Sequence, residues 1–153
     1  MGEKRKTKVK VVFDTSVWIS VIIGKQVAET LRPVISDEKH FQIFMSNQML
    51  SEFARVLTYP KIQEILGKAN VEPRIALGAV IKRVSLQSVR EGTIDVLNID
   101  PSDNRILECA IHSRASYIVS GDPHLLGLKQ FSGIKITTAK NFLNKLHAGE
   151  TSE

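Results

Sequence analysis

Apolar residues fall in two rhythms along this chain, short unbroken runs and stretches spaced at three and four, and their alternation predicts strands interleaved with helices. Residues 8–13, rich in β-branched side chains, predict a strand buried on both faces. Asp14-Thr15-Ser16 then offers cap chemistry ahead of Val17-Trp18-Ile19, so a helix should start there. A helix is expected over 25–36, a strand over 41–45, and a helix capped by Ser46 or Asn47 that runs to 57. Pro60 separates this from a shorter helix at 62–66, and Pro73 opens another that ends near Arg83. Residues 84–99 should hold at least one short strand, with Gly92 as a break. Further on, the pattern predicts a helix over 103–113, a strand over 117–119, a short helix opened by Asp122-Pro123, a last strand over 134–136 and a last helix over 139–146. Strands alternating with helices predict an α/β fold, a central parallel sheet covered on both faces.

Four carboxylates break this pattern where a strand should hand over to a helix, or on a helix face that ought to be apolar. Glu52 lies on the stripe formed by Met49, Phe53, Val56 and Leu57, three residues after the first and four before Val56. A carboxylate facing a core costs several kcal/mol, in order of magnitude, unless it is paired or coordinates a metal. Asp103 heads the face continued by Ile106, Leu107 and Ala110. Asp14 and Asp122 follow strands directly or nearly so. Taken singly each could be a helix N-cap, and Asp103 a first-turn aspartate answering the helix dipole. In one parallel sheet, however, all four converge on its carboxyl edge, where open α/β sheets place ligands. Anions gathered at one place call for a cation between them, so the pattern points to a divalent-metal enzyme.

Composition narrows the class. The chain has 153 residues, 42% of them hydrophobic, and a net charge of +5 that favours a polyanionic partner such as a phosphodiester. That length suits one domain, expected over 1–147, with residues 148–153 a disordered tail. Lys4, Arg5, Lys6, Lys8 and Lys10 crowd the start, a run that reads first as a solvated arm. No apolar run approaches the roughly 20 residues of a membrane span, and the basic start lacks the apolar core of a signal peptide. One cysteine, Cys109, excludes an internal disulfide and fits a reducing cytosol, so a cytoplasmic location is expected. The four histidines lack metal-ligand spacing, and the glycines form no phosphate-binding loop. A receiver would need an acidic pair at the first strand, and an aspartyl phosphatase a DxD start; only Asp14 stands here.

The order strand-Asp14-Thr15-Ser16, Ser51-Glu52-Phe53, Asp100-Pro101-Ser102-Asp103-Asn104, Ser120-Gly121-Asp122 resembles a PIN domain, and within that family the bacterial and archaeal toxins of toxin–antitoxin pairs. The resemblance spans about residues 8–147. It implies a three-layer α/β/α sandwich and an endoribonuclease dependent on Mg²⁺ or Mn²⁺. RNA would be the substrate, a cognate antitoxin the partner and a homodimer the assembly. The family's acidic quartet falls on Asp14, Glu52, Asp103 and Asp122, and its hydroxyl positions on Thr15 or Ser16 and on Ser120. Asn104 and His124 stand where many relatives carry a further acid. Arg105 and Lys61 are the expected contacts to the RNA backbone. A catalytically silent module on the same scaffold, binding RNA or a protein, is the competing reading.

Overall fold

The computed structural model describes residues 7–96 and 100–149. A six-stranded sheet runs in the order β3-β2-β1-β4-β6-β5. Its members are β1 (Val9–Phe13), β2 (Phe41–Ser46), β3 (Ser85–Gln87), β4 (Tyr117–Val119), β5 (Gln130–Phe131) and β6 (Ile134–Thr137). Every pairing is parallel except β5 with β6. The helices are α1 (Thr15–Ile23), α2 (Gln26–Ile35), α3 (Asn47–Val56), α4 (Pro60–Lys68), α5 (Pro73–Arg83), α6 (Pro101–His112), α7 (Pro123–Leu126) and α8 (Ala139–Gly149). Helix α6 lies on β1, β2 and β4 with α3 beside it, while α8 lies on β4 next to α2, and α2 packs on α1. This is the α/β sandwich with a mostly parallel central sheet that the alternating pattern predicts.

Strand β1 leads to β2 and then β3 on one side, after which the chain crosses back and places β4 on the other side of β1. The gap between the carboxyl ends of β1 and β4 is therefore a topological switch point, the crevice where open α/β sheets bind ligands. Strand β1 can sit centrally because Val11, Val12 and Phe13 are all fully buried. Phe13 and Trp18, buried with ring centroids 5.1 Å apart, clamp the turn that carries Asp14. At the other end of the sheet, the Phe142 ring of α8 meets Tyr117 at 5.1 Å and Phe41 at 6.5 Å.

Three features depart from the expected elements. Strand β5 is additional: Ser132 (φ 51°) and Gly133 (φ 83°) are both left-handed, as a two-residue hairpin turn with the sheet's twist requires. Helix α6 starts two residues earlier than expected because Asp100 precedes Pro101, which suits the first helical position. Helix α8 continues past Leu146 to Gly149, so the expected tail begins inside a helix, and 150–153 lie outside the described residues. In the segment after β3, Gly92 does mark a left-handed turn, at φ 82°, while residues 97–99 lie outside the description.

That segment is tied down by polar side chains of α6. Glu108, only 2% exposed, accepts hydrogen bonds from the Gly92 and Ile94 amides at 2.9 and 3.1 Å, and Asn104 accepts from the Val96 amide at 3.2 Å. One turn apart on one helix face, the two side chains supply the partners that buried loop amides need. Cys109, on the same helix, is fully buried, and its burial pushes the thiol up to about 12. No helix among the described residues is long and apolar enough to cross a membrane.

Candidate active site

Asp14 occupies the first position beyond β1, where its amide still bonds the Val119 carbonyl of β4 at 2.9 Å. Its side chain caps α1 by accepting from the Ser16 amide at 3.3 Å, and its other oxygen accepts from the Ser120 hydroxyl at 2.7 Å. The Ser120 oxygen in turn accepts from the Asp122 amide at 2.9 Å. Asp122 caps α7 through the His124 amide at 2.9 Å. A single buried serine thus spans the switch point and fixes two acids from two strands relative to each other. Both aspartates are helix caps, as their sequence setting allows, and both also line one open cleft of about 560 Å³.

Glu52 and Asp103 reach that cleft from helices. Ser46 caps α3 through the Met49 amide at 3.1 Å, and the helix buries Met49 and Phe53, which turns Glu52 towards the cleft half-buried. Asp103, 6% exposed, stands in the first turn of α6 with one carboxylate oxygen, Oδ2, buried and without a hydrogen-bond partner. Ordinarily such an atom costs about 1–3 kcal/mol, more when charged. Among the described residues no Lys or Arg comes within ion-pair distance of any of the four; the one ion-pair contact is His124 with Asp122 at 3.5 Å.

The electrostatics follow from this crowding. Burial raises the Asp14 carboxyl above its usual range, against the lowering effect of the Ser120 and Ser16 hydrogen bonds, and the charge of Asp122 raises it further. Glu52 is raised by burial, countered by Arg55 one turn away and reinforced by Asp14. Asp103 goes highest, to about 7, through burial first, then the neighbouring Asp122 carboxyl, with further repulsion from Asp14 and Asp100. Like charges forced together in a partly dry site keep a proton unless a cation replaces it.

The donor set is all oxygen, which suits hard divalent cations. Among the described residues no three His, Cys, Asp or Glu side chains close into a ready-made metal cage. Mg²⁺ does not need one, since it usually keeps several waters and takes one or two carboxylates. The unpartnered Asp103 oxygen among these acids fits such an ion.

Of the expected hydroxyls, Thr15 and Ser16 line the cleft, and Ser120 acts behind it through Asp14. The two expected cations do not line it. Arg105 points to the other side of α6, to Glu91 at 3.5 Å and Glu108 at 3.8 Å, because the loop-binding face of the helix needs a counter-charge there. Lys61 is exposed on α4 beside Ile62, which does reach the cleft. Asp100 and Ser102 join the lining, although Asp100 reads as an ordinary loop acid. Its carboxylate makes no capping bond, so proximity to Asp103 was its available signal.

A family model described as a PIN domain matches residues 10–124. That span contains every acid that lines the cleft and the serine that links two of them. An uncharacterized protein of Methanocaldococcus jannaschii is 28% identical over 156 residues, covering 95% of this chain and 96% of the relative.

Proposed function

This chain belongs to the PIN domain family, a nuclease-type fold, and from that premise we propose that it is an endoribonuclease dependent on Mg²⁺ or Mn²⁺ that hydrolyses RNA phosphodiester bonds as the toxin of a toxin–antitoxin pair. PIN domains are generally nucleases that use divalent metals on nucleic acid. The observation that carries the proposal is the convergence of Asp14, Glu52, Asp103 and Asp122 on one cleft at the switch point, with the buried Asp103 oxygen left unpartnered. Four carboxylates with no Lys or Arg within ion-pair distance among the described residues are a poor way to stabilise a fold and a good way to hold a cation against a phosphate.

In this proposal Asp14 and Asp103 would hold the principal ion, while Glu52 and Asp122 would complete a second site or act through water. When bound, the cation supplies an acidified water and positive charge against the phosphate and the leaving oxygen. A bound cation would take the place of the proton that crowding imposes on Asp103, so cation binding should strengthen as pH rises through about 7. Thr15 and Ser16 offer hydroxyls to the RNA at the cleft wall. Ser120 is a positioning residue: it acts on Asp14 and Asp122 rather than on substrate. The toxin role carries two further expectations, a cognate antitoxin that blocks the cleft and a homodimeric assembly.

The test is incubation of purified protein with single-stranded RNA in Mn²⁺ and in EDTA. Cleavage in the first and none in the second is expected; binding without cleavage in Mn²⁺ would select a silent module instead. Ser120→Ala is expected to lower cleavage by about 10–100-fold, the usual effect of removing a residue that orients a metal ligand. Rescue by Ser120→Thr, which restores the hydroxyl, would separate orientation from loss of fold.

A further inference from the structure

Beside the acid cleft the surface changes sign. The cleft shares Ser16, Ser20 and Asp122 with a narrow saddle of about 290 Å³, and the saddle shares Thr138 with a groove of about 810 Å³ along β6 and α8. Lys129, Lys135 and Lys145 line that groove, and no acid does. The sequence agrees: from Pro123 to Gly149 there is no Asp or Glu, while four lysines fall in the stretch. Among the described residues none of the three groove lysines lies within ion-pair distance of a carboxylate. The β5–β6 hairpin and the left-handed Lys129 (φ 65°) set one wall, and the first turns of α8 the other.

A polyanion drawn to a cleft of five carboxylates needs positive charge outside it. Neither Arg105 nor Lys61 supplies that charge from the cleft lining, whereas the groove adjoins the saddle at Thr138 and the saddle adjoins the cleft. We infer that one RNA strand runs from the acid cleft over the Ser16–Ser20–Thr138 saddle into this groove, where Lys129, Lys135 and Lys145 bind the phosphates beyond the cut. The inference rests on the ribonuclease proposal and extends it by giving the strand a direction. The lysines contact backbone only, so they contribute affinity and position rather than sequence choice.

The experiment measures binding of a fluorescein-labelled single-stranded oligoribonucleotide in Ca²⁺ across a salt series, with cleavage followed separately in Mn²⁺. Each phosphate contact to a single strand contributes about 0.7 to the slope of log affinity against log salt. The variant Lys129→Gln/Lys135→Gln/Lys145→Gln should flatten that slope by about 2 and weaken low-salt binding by roughly tenfold or more. The control Lys39→Gln/Arg74→Gln/Lys82→Gln removes as much charge from exposed positions outside the cleft, saddle and groove and should leave the slope unchanged. An unaltered slope in the groove variant, or equal flattening in the control, overturns the groove while leaving wild-type cleavage as evidence for the nuclease. Wild-type protein that neither binds nor cuts RNA overturns both.

Discussion

Asp14→Asn is expected to reduce Mn²⁺-dependent RNA cleavage by more than about 100-fold, beyond the roughly 10–100-fold cost of disturbing a residue behind a metal ligand. The fold should survive, because asparagine caps a helix as well as aspartate does and can still accept from the Ser16 amide. The bond to Ser120 can reverse, with the asparagine amide donating to the hydroxyl oxygen. What disappears is one negative charge at the switch point. Burial already disfavours that charge, so the metal-free variant should melt at the wild-type temperature or above it. Cleavage assays and thermal melts, run in parallel, check both halves. Activity within tenfold of wild type would remove Asp14 from the proposed cation site.

The second large effect is on stability. The Asp103 carboxyl, raised from its usual range to about 7, keeps a proton in the folded chain that the unfolded chain sheds. The folded state therefore binds more protons between these values, and metal-free stability falls as pH rises from about 4 to about 7. The full shift corresponds to at most about 4 kcal/mol at 1.36 kcal/mol per unit. Asp103→Asn removes the penalty, so at pH 7.5 the metal-free variant should melt several degrees above wild type, at about 2–4 °C per kcal/mol. Mn²⁺ should stabilise wild type and have little effect on the variant. Melting curves from pH 4 to 8, with EDTA or Mn²⁺, test this. A metal-free wild type whose stability is flat or rises over that range would contradict the crowding described for Asp103.

Legibility in the sequence followed the range of the forces involved. Strand β1 announces itself because burial on both faces demands Val11, Val12 and Phe13, and Asp14 stands out against them. Glu52 was legible because helical spacing places it beside Met49 and Phe53 on a face that is otherwise core. Glu108 was not, although it is more buried than Glu52. Its partners are loop amides at Gly92 and Ile94, which carry no periodicity and no side-chain signal. Its own flanks, Leu107 and Cys109, were the clue, since both are buried. Strand β5 is only two residues long, too short for an alternating pattern, and Ser132-Gly133 was its one local sign. Arg105 was misplaced for a related reason: spacing along α6 gives its angle but not the presence of Glu91 across from it.

Cys109 sits beneath all of this, sealed inside α6 with a thiol that ionises only near 12. A thiolate is the species that alkylating reagents attack, so the native chain presents them with almost none, and no access to it. Labelling must wait for the molecule to open. The lone sulfur is thus a built-in clock: the rate at which maleimide captures it under native conditions reports how often α6 leaves the sheet, with no probe added and no residue replaced.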